Sequence, residues 1–357
     1  MAYTTIDDPE AYFQVKLWTG TGGSLSPTFD GDTDLQPDLI WLKDRDDTYN
    51  HFLFDSVRGA LKEVRSNTTA AEATLANSVS AFNSDGFTLG TDANTNASGD
   101  KFVAWCWKAG TSFSNDASST SVGSLDSAGS VSTDAGFSII SYTGAGDGQA
   151  SSTQTVAHGL GVVPQVLIVK NLADATNWFV YHHKNTSTPA TDVLYLNLTN
   201  ATGDDNGPWN DVAPTSSVFT VGGDNGTNGN GDGMIAYCFA EKQGYSKFGN
   251  YVGNGSTDGT FIYTGFSTAF IMVKSTSSSG QWFMFDNKRE GYNPENDRLI
   301  ADVGDAEADP GETDFLSNGF KMRFTSGNAN GSGVSYIYMA FAENPFVTST
   351  GIPAPAR

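Results

Sequence analysis

Cysteine and histidine are both scarce in this 357-residue chain, with two of the first and four of the second. Two cysteines, Cys106 and Cys238, cannot build a disulfide framework and suit synthesis in a reducing cytoplasm. Four histidines can seed little acid–base or metal chemistry. Basic residues are also few, 19 Lys+Arg against 40 Asp+Glu, for a net charge of −21. That balance excludes nucleic-acid binding, which needs surplus Lys and Arg to neutralise phosphate, and equally argues against docking on anionic lipid. No apolar run is long enough for a membrane-spanning helix, so no membrane insertion is expected. The first ten residues are acidic and lack an apolar stretch, so no secretory leader is expected.

The usual signatures of catalysis are missing too. There is no Gly-x-Ser-x-Gly elbow, Walker loop, His-Glu-x-x-His or Cys-x-x-Cys. The Gly-x-Gly pairs do not open helices, which removes a dinucleotide reading. Glutamates such as Glu290, Glu295, Glu307 and Glu312 sit at strand ends or in loops and make weak candidates for a glycosidase pair. No catalytic, cofactor-binding or metal-ligating residue is nominated, no cofactor is expected, and the chain reads as a non-enzyme.

What the chain does have is glycine, 40 residues in all, and aromatics at 12%. The aromatic content excludes a disordered chain, which would lack the apolar area to fold. Three blocks repeat. Pro37 to Lys43 followed by His51 to Asp55 matches Pro164 to Lys170 followed by Trp178 to His182, and Ala269 to Lys274 followed by Trp282 to Asp286. In each, eight positions separate the Lys from the residue that opens the second run. Each block reads as a strand, a polar turn and an aromatic strand, the pattern of a hairpin. Upstream lies an aromatic-x-Gly-x-Gly element beginning at Trp18, Tyr142 and Tyr251; downstream comes a short strand around Phe87, Phe219 and Phe320. Aromatic-rich strands close the units at Phe102–Trp107, Met234–Phe239 and Tyr336–Phe341, with Cys106 and Cys238 equivalent to Ala340. A small apolar residue within a buried strand accounts for both cysteines.

Short strands rich in Val, Ile, Phe, Tyr and Trp, bounded by Gly, Asn, Asp and Ser, predict an all-β protein of three tandem β-sandwich units, jelly-roll or concanavalin-like. The expected boundaries are 1–110 for the first unit, 111–135 for a Ser/Thr/Gly-rich linker, 136–244 for the second unit, 245–345 for the third and 346–357 for an extended tail. Thr68–Ala76 is the best helical signal.

Other features carry weaker chemistry. Alternation along a strand puts His182 and His183 on opposite faces, so they cannot converge on one ion. His158 lies in a turn before a strand. The acidic stretches Asp30–Asp34, Asp204–Asn206 and Asp224–Asp232 resemble calcium loops in composition but read as solvated turns. Trp209 is the best loop aromatic for stacking on a sugar, with packing at a domain edge as its other role.

Several of these landmarks resemble one family. Tyr142-Thr-Gly-x-Gly, His158-Gly-Leu-Gly-x-x-Pro164, Ile168-Val-Lys170, Trp178-x-Val-Tyr181 and Ala-Tyr-Cys-Phe-Ala-Glu241 resemble a domain of uncharacterised function in virion proteins of tailed, mostly marine bacteriophages. The stretch Asn344 to Arg357 is similar to the end of such proteins. The resemblance covers residues 136 to 357; the first unit departs from it, with no His-Gly-Leu-Gly and with His51 in place of the Trp. It implies a virion structural component made in the host cytoplasm, and carries over no catalytic residue. A Ser-, Thr-, Asn- and Gly-rich, Lys-poor composition suits such exposure. The expected role is a tail fibre or tail-associated adsorption protein. The alternatives are a capsid decoration or head-fibre protein, and a carbohydrate-binding or polysaccharide-depolymerising module. Partners expected on this reading are other virion proteins, further copies of the chain in a homotrimer, and a host surface glycan.

Overall fold

A computed structural model describes residues 2–149, 152–309 and 313–353. The fold is nearly all β, built from antiparallel sheets, and the three repeats share one strand order. In the first large sheet Phe13–Thr19 pairs with Lys101–Trp107, which pairs with Leu39–Asp44, then Phe52–Asp55 and Lys62–Arg65 follow. The second runs Phe137–Thr143, Gly233–Phe239, Val166–Asn171, Phe179–His182 and Asp192–Tyr195. The third runs Ser246–Val252, Ser335–Pro345, Phe266–Ser275, Phe283–Asp286 and Leu299–Ile300. Register repeats as well as order, since Cys106 lies opposite Ile40, Cys238 opposite Leu167 and Ala340 opposite Ile271.

Each closing strand is central in its sheet and buried on both faces, which is why it reads as an unbroken apolar run rather than an alternating one. Phe102, Ala104 and Cys106 point into one cluster with Val79, Phe87 and Leu89 of a small local sheet. Met234, Ala236 and Cys238 do the same with Val156, Phe219 and Val221, and Tyr336, Tyr338 and Ala340 with Ile262, Phe315 and Phe320. The alternate residues, Val103, Trp105 and Trp107 with Ile235, Tyr237, Phe239, Ile337, Met339 and Phe341, meet in one cluster common to all three units. At its centre Trp107, Phe239 and Phe341 form a triangle with ring centroids 5.5, 6.0 and 6.4 Å apart. Aromatic rings at such separations add edge-to-face attraction to their burial.

The region expected as a linker is structured. Thr111–Asn115 and Ser127–Ser132 pair with each other, and the latter pairs with Phe137–Thr143, extending the second sheet to eight strands. Main-chain bonding holds these two strands at the end of the sheet, so their side chains can be small and polar; a Cβ on Gly129 would stand 1.8 Å from the Ile139 carbonyl oxygen. The first unit is therefore not set apart. The helical expectation at Thr68–Ala76 also fails: Ala73–Thr74 pairs with Lys62–Arg65, and Glu72 binds Arg58 and Lys62. Nine residues are too few to offset helix nucleation when a strand edge competes. Within the expected tail, Val347 bridges Pro353 and Ser349 N–H donates to Asp7 at 2.5 Å; residues 354–357 lie outside the described residues.

Candidate functional site

The side chains most capable of chemistry are used inside the fold, at equivalent places in each unit. Lys43, Lys170 and Lys274, which end the first hairpin strands, are fully buried. Lys43 Nζ donates to the Asp44 and Asp47 carbonyls, and Lys170 Nζ to those of Asn171 and Asp174. Lys274 Nζ reaches Thr199, Asn200, Ser275 and Gly280, the first two belonging to the second unit. Desolvation lowers each ammonium to a pKa of about 8. The hairpin turns thus close around a buried cation that satisfies their carbonyls.

A second set of ties runs from unit to unit. Trp178 Nε1 donates to the Arg65 carbonyl of the first unit at 2.8 Å, and Trp282 Nε1 to the Tyr195 carbonyl of the second at 2.9 Å. His51 occupies the same place in the first unit, with the Ile300 backbone of the third beside its ring and its Nδ1 accepting from Trp41 Nε1 at 3.0 Å. A third set runs the other way. The Tyr237 hydroxyl donates to Asp55 at 2.8 Å, and Trp105 Nε1 to Asp286 at 2.9 Å. Arg58 also binds Asp55, and Arg289 binds Asp286, each at 2.6 Å. In the second unit His182 replaces the aspartate, and its Nε2 donates to the Tyr338 carbonyl at 3.2 Å. Every unit is bonded to both others.

The repeated glycines have a matching explanation. Asn96, Asn228 and Asn330 each accept, through Oδ1, a backbone N–H of the aromatic-x-Gly-x-Gly loop, from Thr21, Ala145 and Asn254. A Cβ on Gly20, Gly144 or Gly253 would lie 1.9, 2.2 or 2.4 Å from a carbonyl oxygen of the segment following that Asn.

The remaining sequence candidates fall into place around this framework. His183 lies beyond its strand end, so strand alternation does not govern it. Its ring stands 5.5 Å from that of His182, and its Nε2 donates to the Phe248 carbonyl at 2.7 Å. Both rings face the third unit rather than opposite sides of a sheet. His158 Nε2 donates to the Thr215 carbonyl at 3.1 Å. Burial lowers the pKa of all four histidines, that of His182 to about 3. Both cysteines are buried, and desolvation pushes the Cys238 thiol up to about 12. Trp209 is buried against Tyr181 and unavailable to a sugar. Asp30 pairs with Lys16, Asp224 caps a helical turn through Gly226 N–H, and Asp232 accepts from Asn171. Among the described residues no group of three or more His, Cys, Asp and Glu is arranged to hold a metal ion. Glu307 is held by Arg45 and Arg289, and Glu312 lies outside the described residues.

One surface feature lies outside this pattern. A cleft of about 480 Å³ opens where the second and third units meet, lined by Lys184, Glu241, Lys247, Asn250, Phe261 and Tyr263 among others. Glu241 is turned toward the strand, accepting the Phe248 N–H at 2.7 Å, while His183 takes the carbonyl of the same residue. These bonds block the edge of Ser246–Val252 and set one wall of the cleft. Sequence reasoning missed Phe261 and Tyr263, because their strand is short and its alternation, exposed–buried–exposed, puts the apolar residues on the outside.

These features define an all-β protein whose repeats are joined into one body by buried polar ties. The chain belongs to the family described as a domain of unknown function (DUF7483), whose model matches residues 8–345 in one span that takes in all three repeats. No curated protein and no solved structure matches it.

Proposed function

We propose that this chain is a non-enzymatic structural component of a bacteriophage virion, acting as a tail fibre or tail-associated adsorption protein. Its three repeats are β-sandwich units of the jelly-roll or concanavalin-like kind, each a large sheet over a smaller one. The observation that carries the reading is the use of the buried lysines, histidines and Asp–Arg pairs as ties between and within units. Reactive groups spent in this way serve a scaffold, and the sequence resemblance to virion proteins supplies the setting. Three units joined around one apolar cluster carry three sets of loops, an arrangement suited to an assembled particle. Further copies in a homotrimer and neighbouring virion proteins are the partners on this reading.

Cryo-electron microscopy of purified particles, with the protein located by a labelled antibody, tests it. Density on the tail supports the adsorption role, and density on the head replaces it with capsid decoration. Absence of the protein from purified particles overturns the virion reading. Solution scattering checks the trimer, which a monomeric mass would exclude.

A further inference from the structure

The cleft between the second and third units exposes two aromatic rings. Phe261 and Tyr263 are 46% and 50% exposed. Two residues apart on one strand, they project from the same face, about 7 Å apart. Phe261–Tyr263 is an edge strand, paired among the described residues only with Gly319–Met322.

The repeat supplies an internal control. Ile262 lies opposite Phe320 as Val156 lies opposite Phe219, so Thr155 and Ala157 of the second unit stand where the third has Phe261 and Tyr263. The same local sheet therefore forms without the rings. Paired exposed aromatics that the fold does not require mark a contact surface. Tyr263 is also held in place, since its hydroxyl bonds to that of Tyr3, which donates to the Gly265 carbonyl at 2.6 Å.

The rim identifies the occupant. Lys184 and Lys247 line the cleft and join no ion pair among the described residues, in a chain of net charge −21. Asn250 is exposed beside them and offers both a donor and an acceptor. Ring faces bordered by amide and ammonium groups fit a sugar, whose C–H faces lie on the rings while its hydroxyls reach the amide. Two ammonium groups without an ion pair outnumber the one lining carboxylate, Glu241, whose Oε1 accepts the Phe248 N–H, and add a preference for negative charge. The volume falls in the range of small-ligand pockets.

We propose that this cleft binds an acidic saccharide, a sugar chain bearing carboxylates, by stacking on Phe261 and Tyr263 and by charge pairing with Lys184 and Lys247. The inference deepens the adsorption reading. Its test uses the purified full chain, so its outcome is independent of where the protein sits in a particle. Isothermal titration compares a galacturonic acid tetrasaccharide with neutral maltotetraose and with a hexaglutamate peptide. The acidic sugar should bind at least tenfold more tightly than either control. Phe261→Ala and Tyr263→Ala should each weaken it at least tenfold, Phe261→Ala with an unchanged melting temperature, and Lys184→Gln with Lys247→Gln should reduce it to the level of the neutral sugar. No binding of the acidic sugar, binding that both ring variants leave unchanged, or equally tight binding of the peptide would overturn the proposal.

Discussion

Replacing Tyr237 by Phe removes one oxygen from the common core and reports on whether the three units unfold together. The hydroxyl is buried and donates to Asp55 at 2.8 Å, across the junction of the second unit with the first. Asp55 keeps its pair with Arg58 at 2.6 Å, so the ion pair survives; what is lost is the bond to Asp55 and a long one, 3.5 Å, that the hydroxyl accepts from Arg58 Nη2. A hydrogen bond to a charged partner contributes about 2 kcal/mol. Unfolding entropy near the midpoint is about 2.1 cal/mol/K per residue. If all 357 residues melt as one block, the substitution lowers the melting temperature by about 3 °C. If units of about 110 residues melted independently, one of several transitions would fall by about 9 °C and the others would stay. The shared apolar cluster and the ties linking every pair of units predict the first outcome. Differential scanning calorimetry of the wild type and Tyr237→Phe decides it. Separate transitions, with only one of them displaced, would refute the account of a single body.

Acid should destabilise the protein partly through His182, whose pKa is lowered to about 3 by burial. Below pH 6.5 the unfolded chain takes up the proton that the folded chain refuses, so this contribution is complete above pH 6.5 and falls away toward pH 3. The loss is about 2 kcal/mol at pH 5 relative to pH 7, and His182→Gln should remove it; denaturant unfolding at the two pH values that shows the same loss in both proteins would exclude the mechanism. Lys274→Met strands four carbonyls from two units, and a loss of about 3 kcal/mol is expected in the same measurement, whereas a cost under about 1 kcal/mol would mean that water replaces the ammonium. Cys106 and Cys238 should resist a thiol reagent in the native protein and react only with added denaturant; rapid native labelling would contradict their burial.

The repeat was legible because it rests on local signals. A strand buried on both faces must be apolar throughout, so Phe102–Trp107 and its two counterparts stand out in any linear reading. The Lys at the hairpin end recurs because each turn needs a donor for its carbonyls, and the paired glycines recur because a carbonyl passes too close for a Cβ. Residues 111–135 were misread for the opposite reason. Edge strands hold their place through the main chain and need no apolar side chains, so composition makes them look like a linker. The cleft was invisible because its walls come from Lys184, Lys247 and Phe261, which are far apart in sequence.

Sequence alone determined the all-β character, the threefold repetition and the burial of the two cysteines, since each follows from residue pattern within a single unit. Tertiary structure alone decided that the units close on one another around Trp107, Phe239 and Phe341, and that Asp55 and Asp286 serve neighbouring units as well as their own. It also placed Phe261 and Tyr263 on an open face. Hydrophobic burial is nearly indifferent to direction, so an apolar pattern specifies that a strand has two buried faces but not what lies against each. The directional bonds across the unit junctions supply that choice, and they exist only once the sheets have met.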